Sequence, residues 1–281
     1  MGQCFYRSVQ WVNFDGKIVI TTMTSPILFE IRDHIAFITL NRPDKLNSFT
    51  REMALLLQSR LDECASLHEI RAVYITGAGK GFSAGQDLAE VVDPNGPGMD
   101  RILSEQYNPI VTRIRNLPKP VVAAVNGVAA GAGANIALCC DIVVAAGSAS
   151  FIQAFSRIGL IPDSGGTYFL PRLVGWQRAA GIAMLGDKIG AAEAERMGMV
   201  YKVYENEEFA GASRALAAVL AQLPTRALAF TKHALNYSAT NSLEAQLLLE
   251  DELQQKAAGT KDYKEGVNAF LEKRPAVFKG E

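Results

Sequence analysis

Val121 to Cys140 runs for 20 residues without a charged side chain, nominally enough to cross a bilayer. Its interior argues otherwise. Asn126, Gly127, Gly131, Gly133 and Asn135 punctuate the run, so it reads as a buried strand, a glycine-rich turn and the start of a helix. Similar units surround it. Ile27 to Ile31 and Ile35 to Leu40 read as two strands around an Arg32-Asp33-His34 turn, and Ala72 to Thr76 as a further buried strand. Between them Thr50 can cap a helix whose Met53, Leu56, Leu57 and Leu61 share one face. Repeated β-β-α and β-α units from about residue 26 to 205 predict a layered α/β core.

From Glu207 the pattern turns purely helical, with breaks at Leu223-Pro224, Thr240-Asn241 and Gly259. The expected organisation is therefore an extension without an assigned role over 1–24, a core carrying the ligand site over 25–206, and a helical appendage over 207–281. The length suits one large domain with such an appendage. At 49% hydrophobic and 20% charged, the 281-residue chain can bury a sizeable core. A formal net charge of -1 leaves no basic field to gather nucleic acid or an anionic membrane, so neither is expected as a partner.

Cys4, Cys64, Cys139 and Cys140 lack metal-ligand spacing, and adjacent Cys139 and Cys140 make a poor disulfide pair. That usage fits a reducing, cytoplasmic setting and no metal site. Arg7, Asn13, Asp15 and Lys17 interrupt the first 24 residues, which do not read as a signal peptide. Trp11, Trp176 and the Met197-Gly198-Met199 run read as packing or turn residues.

Three segments can carry chemistry. Gly81-Phe82-Ser83-Ala84-Gly85-Gln86-Asp87-Leu88 follows a strand and opens a loop with free backbone N–H groups; it reads equally as an ordinary turn. Asn126 to Asn135 puts small side chains before a helix, either to let a ligand reach backbone donors or simply to pack tightly. Ile158 to Thr167 places Asp163 between an apolar run and a glycine pair. Asp163 is then either a helix N-cap or, enclosed by Ile161, Pro162 and aromatic neighbours, a base. Desolvation can raise a carboxyl pKa from about 3.9 by up to roughly 3–5 units.

Taken together, the three segments resemble the crotonase (enoyl-CoA hydratase/isomerase) superfamily from Asn41-Arg42-Pro43 to Phe270-Leu271-Glu272-Lys273-Arg274. The resemblance implies a spiral of β-β-α units, a C-terminal helical region used to form trimers or hexamers, and acyl-CoA thioesters as ligands. It also implies an oxyanion hole made of the backbone N–H groups of Gln86 and Ala132. Lys45, Leu46, Ala84, Asp87 and Leu88 match positions that line the CoA, with Arg42, Lys273 and Arg274 as further cations near it. No separate cofactor is implied, since CoA is part of the substrate.

Hydratases of the superfamily use two glutamates, and the matching positions here hold Asn135 and Phe155. Neither ionises near neutral pH, so Asp163 is left as the catalytic group and isomerisation is expected over hydration; Phe155 reads as a wall of the substrate pocket or as an ordinary core aromatic, and Asn135 as a pocket residue that hydrogen-bonds substrate or as one that faces the first turn of its own helix. Asn126 to Ala134, Ala154 to Asp163 and Lys264 to Phe270 resemble the branch that isomerises ring-1,2-epoxyphenylacetyl-CoA and shifts 3-enoyl-CoA to 2-enoyl-CoA. The competing readings are a general Δ3,Δ2-enoyl-CoA isomerase or hydratase-like enzyme of fatty acid oxidation, a 4-chlorobenzoyl-CoA dehalogenase-like enzyme, and a non-catalytic binding subunit. The dehalogenase relies on a tryptophan, matched here by Phe155, and on a histidine from the helix that immediately precedes the second segment, whereas the histidines of this chain are His34, His68 and His233.

Overall fold

A computed structural model describes residues 8–12, 18–22 and 25–281. Strands β1 (Ser8–Val12) and β2 (Ile18–Thr22) pair antiparallel; the rest of the 1–24 extension, Cys4 included, lies outside the described residues. The hairpin of β3 (Ile27–Arg32) and β4 (Ile35–Leu40) closes with Arg32 opposite Ile35. Its two loop residues, Asp33 and His34, both take positive φ (50° and 65°), the conformation that matches the twist of tight hairpins.

Helix α1 (Arg51–Ser66) starts where Thr50 Oγ1 accepts the Met53 N–H at 3.4 Å, and it buries Met53, Ala54, Leu57, Gln58, Leu61 and Cys64. Then follow β5 (Ala72–Gly77), β6 (Gly81–Ser83) and three helices, α2 (Leu88–Val92), α3 (Gly98–Arg101) and α4 (Asn108–Asn116). A single widened π-helical turn, Ile102–Tyr107, joins α3 to α4 and buries Ile102, Gln106 and Tyr107.

The uncharged run divides as its glycines require, into β7 (Val121–Val125), β8 (Val128–Ala130) and α5 (Ala132–Leu138). Every residue of β7 and of α5 is buried, so the run lies in the middle of the core as strand, turn and helix. The chain continues through β9 (Ile142–Ala146), β10 (Ser150–Ile152), α6 (Gly166–Val174), α7 (Trp176–Leu185), β11 (Lys188–Gly190), α8 (Ala191–Arg196) and β12 (Lys202–Tyr204). It ends in α9 (Asn206–Gln222), α10 (Thr225–Ser238), α11 (Leu243–Ala258) and α12 (Lys261–Leu271), broken at the three expected places.

Two sheets result. The larger has the order β3-β4-β5-β7-β9-β12 and is parallel from β4 onward; the smaller, β6-β8-β10-β11, is parallel except at β11. Because β5→β6, β7→β8 and β9→β10 each step from the larger sheet to the smaller, the chain winds as a spiral whose turns pile up at one edge. This is the crotonase fold.

The helical end differs from a simple appendage. Phe209, Ala217, Leu220 and Ala221 of α9 belong to the same buried cluster as the strands, and Ser213 Oγ lies 2.9 Å from the Tyr74 hydroxyl of β5. Helix α9 is thus a layer of the core. Among the described residues no helix is long and apolar enough to cross a membrane.

Candidate active site

Two asparagines bring the first two glycine-rich loops together. Asn126 Oδ1 accepts the Gly77 N–H at 3.0 Å while its Nδ2 donates to Gly79 O at 3.0 Å. Asn47 Nδ2 donates to Ala78 O and Gly81 O at 2.9 and 2.8 Å, and its Oδ1 accepts the Arg42 N–H at 2.8 Å. A buried amide that satisfies three backbone groups replaces the ladder bonds these turns lack.

The loop after β6 then meets the segment after Asn47 through a parallel bridge, in which Phe49 N donates to Gly85 O at 2.7 Å and Asp87 N donates to Phe49 O at 2.9 Å. This pattern uses the groups on either side of Gln86 and turns the Gln86 N–H the other way. Among the described residues it has no acceptor. The Ala132 N–H has none either, being the first of α5.

Glycines set both donors. Gly131 adopts φ 53° and ψ −130°, and Gly85 φ 85°, backbone that a side chain resists. A Cβ at Gly85 would stand 2.9 Å from Ala130 O and 3.2 Å from Ala132 N, so the two donor-bearing turns touch. A Cβ at Gly131 would lie 3.8 Å from Cζ of Phe155. The buried Phe155 ring therefore covers the turn that leads into Ala132.

Asp163 does not cap a helix: α6 begins behind Gly165 without a side-chain cap. Its carbonyl is clamped by the Gly166 N–H at 2.7 Å and by Asn135 Nδ2 at 2.9 Å, while its Oδ1 accepts the Ser164 hydroxyl at 2.8 Å. Burial pushes the carboxyl above the ordinary carboxylate range, against the Ser164 hydrogen bond. The expected enclosure by Ile161 is overturned, because Ile161 is 78% exposed.

Asn135 is fully buried. Its Nδ2 holds the Asp163 carbonyl and its Oδ1 accepts Gln153 Nε2 at 2.7 Å, while Gly166 lies directly against the amide. The geometry makes it a strut behind Asp163.

Ala84 N donates to Leu46 O at 2.9 Å, which places the Lys45-Leu46 and Ala84-to-Leu88 segments side by side. Leu46 and Leu88 are 41% and 56% exposed. Asp87 caps α2 through the Ala89 N–H at 3.1 Å and pairs with Arg42 at 2.9 Å. Burial pushes this carboxyl up, but the bonds from Arg42 and Ala89 outweigh it and hold it below its usual range. Arg42 is thus committed to Asp87 and to Ser48 O, Arg274 is committed to Glu265 and Glu272, and Lys45 is exposed.

Tyr107 escaped the sequence reading. Its hydroxyl donates to Gln86 Oε1 at 2.8 Å, and Gln86 Nε2 donates to Glu90 at 2.9 Å. Burial pushes the Tyr107 hydroxyl well above its ordinary value and the Asp163 charge adds to the effect, so the phenol stays protonated beside the carboxylate. Only a tyrosine ahead of Asn108-Pro109 marks it in sequence, and nothing local announces a π turn. A groove of about 710 Å³ between α4, α6, α10 and α11 is lined by residues such as Arg115, Phe169, Arg172 and His233 and by none of the predicted site residues.

A spiral of paired strands stepping between two sheets and closed by helices defines a protein of the crotonase class. The enoyl-CoA hydratase/isomerase family model matches residues 30–281, and the chain belongs to that family of enzymes. It is 49% identical over 257 residues to 1,2-epoxyphenylacetyl-CoA isomerase of Escherichia coli (strain K12), covering 90% of this chain and 98% of that one. A probable enoyl-CoA hydratase of Rhodobacter capsulatus is 46% identical over 254 residues, with 90% and 98% covered. The crystal structure of a putative enoyl-CoA hydratase from Streptomyces coelicolor A3(2) superposes with a TM-score of 0.86 at 38% identity, over 93% of this chain and 97% of that one.

Proposed function

We propose that this enzyme isomerises acyl-CoA thioesters, converting ring-1,2-epoxyphenylacetyl-CoA to the oxepin thioester and shifting 3-enoyl-CoA to 2-enoyl-CoA. One observation carries the reading: Asp163 is a desolvated carboxylate held by its main chain beside the free-amide turns, while Asn135 and Phe155 occupy the two positions a hydratase gives to glutamates. The likeness to the Escherichia coli isomerase supports the same substrate.

In this mechanism the thioester oxygen rests on the N–H groups of Gln86 and Ala132. Asp163 takes a proton from the carbon next to the carbonyl, and the electron pair passes to the thioester oxygen, where the two amides stabilise it. One such donor typically contributes about 10²–10³ in rate. As the enolate collapses, the pair forms a new double bond at the α carbon and either breaks a bond of the three-membered ring or moves the alkene; in both cases protonated Asp163 returns the proton, to a ring carbon of the oxepin or to the far alkene carbon. Raised basicity suits the carboxylate to both roles. Lys45, Leu46, Ala84, Asp87 and Leu88 hold the CoA in this reading, and Phe155 walls the acyl group.

Product analysis tests the proposal. The purified protein is mixed separately with the ring-epoxide, a 3-enoyl and a 2-enoyl thioester. Oxepin and 2-enoyl products are expected; a dominant 3-hydroxyacyl product from the 2-enoyl thioester overturns the reading in favour of a hydratase.

A further inference from the structure

The Gln86 side chain is gripped at both ends, although only its backbone N–H takes part in the proposed chemistry. Tyr107 hydroxyl donates to Oε1 at 2.8 Å, and Nε2 donates to Glu90 Oε2 at 2.9 Å. Glu90 in turn accepts the Arg51 N–H, the first of α1, at 2.9 and 3.1 Å. Phe49 closes the frame: its backbone brackets Gln86, and its ring meets the Tyr107 ring edge-on at 5.9 Å.

Tyr107 reaches this place through the π turn. The extra residue in that turn brings Tyr107 and Ile102 inward together, and the carbonyls it disturbs are taken up from outside, where Gln58 Nε2 donates to Glu105 O at 2.8 Å and to Gln106 O at 3.2 Å. Arg51 and Arg101 both pair with Glu105 on the outer side. A turn of this kind is kept where it sets a side chain that a regular helix would misplace.

We infer that Tyr107 is a positioning residue: through the chain Tyr107–Gln86–Glu90 it fixes the tilt of the Gln86 peptide and so aims that N–H at the substrate oxygen. The inference rests on the oxyanion role proposed above for Gln86. A hydrogen-bonded side chain restrains its own χ angles, and through them the peptide it springs from. Without the phenol, Gln86 is tethered at Glu90 alone and the amide samples poorer angles, to which hydrogen-bond strength is sensitive. Because donors in an oxyanion hole act by being aimed beforehand, the loss falls on turnover rather than on binding of the CoA portion.

The test combines kinetics with the infrared carbonyl band of a bound, unreactive acyl-CoA. In the wild-type protein the thioester C=O stretch is expected to shift to lower frequency on binding; no shift would sink the oxyanion reading itself. Tyr107→Phe is expected to lose part of that shift and about tenfold in kcat, with KM within about twofold and the acid limb of the pH profile, set by Asp163, in place. Gln86→Leu, which keeps the backbone N–H, should behave alike, and the double variant should be no worse than either single one. A Tyr107→Phe protein with the full wild-type shift, or losses that multiply in the double variant, overturns the inference while leaving the oxyanion reading intact.

Discussion

Asp163 is where single-residue chemistry can be read most directly. Among the described residues its carboxyl has one side-chain donor, Ser164, and burial raises its pKa. A carboxylic acid whose folded pKa exceeds its unfolded one binds its proton more tightly in the native state, so the cost in stability is complete above the folded pKa, shrinks as pH falls from there towards the unfolded pKa, and is gone below it. Asp163→Asn should therefore melt above wild type at neutral pH, with the gain shrinking as the buffer is acidified through the raised pKa. Isomerase activity should fall by about 10²–10⁴ in the same protein, and the wild-type rate should decline on its acid side at a pH above the ordinary carboxylate range. Calorimetry across pH and initial rates on a 3-enoyl thioester check both halves. A folded Asp163→Asn protein that turns over normally removes Asp163 from the mechanism.

At the scale of elements, the site is held by buried amides that bridge backbone which no sheet ladder serves. Asn47 and Asn126 join the loops after β4, β5 and β7, and Asn135 with Gln153 braces the Asp163 loop from α5. Removing such a strut leaves buried partners unmet, at about 1–3 kcal/mol. Gln153 already has an Oε1 without a donor among the described residues, so Asn135→Ala would strand both ends of its amide. Urea unfolding should show a loss of that size, and kcat should drop by about tenfold with KM little changed, because the Asp163 peptide loses one of its two anchors. Normal kcat in a destabilised Asn135→Ala protein would confine Asn135 to a packing role. The sequence located Asn135 and Asn126 because they interrupt an apolar run. It assigned Asn135 to the pocket because a family position carries no information on which way a fully buried amide points.

The whole molecule shows why the helical end is needed. Lys232 of α10, almost completely buried, donates to Ile114 O at 2.7 Å and pairs with Asp141 at 2.7 Å, while Arg115 reaches the same carboxylate and Asn236. Arg71 ties the ends of α9 and of the chain together through Leu223 O and Phe278 O, and Asp262 accepts the Lys279 and Gly280 N–H groups at 2.7 Å each. These contacts fix α10 to α12 on the core yet leave Leu247, Leu248, Phe270 and Leu271 55%, 73%, 84% and 72% exposed. Trp176, expected to pack, is 74% exposed as well. Apolar surface of this extent is what subunit contacts cover. On the proposal that three copies associate, sedimentation velocity should give a species of about three times the 30.4 kDa chain mass, and a monomer persisting at micromolar concentration would refute it.

Local pattern determined most of the architecture. Apolar strands, the Thr50 cap, the Asp33-His34 turn and the helix breaks at Pro224, Asn241 and Gly259 depend on chemistry within a few residues, and the structure has each in place. Family motifs added the positions of Gln86, Ala132 and Asp163. Only the tertiary structure decided which groups face one another: that Ile161 points to solvent, that Asn135 supports Asp163 from behind, that α9 is core, and that a π turn carries Tyr107 to Gln86 across 21 positions of sequence. Contacts of that kind follow from how distant segments pack, and packing direction is written in no single stretch of chain.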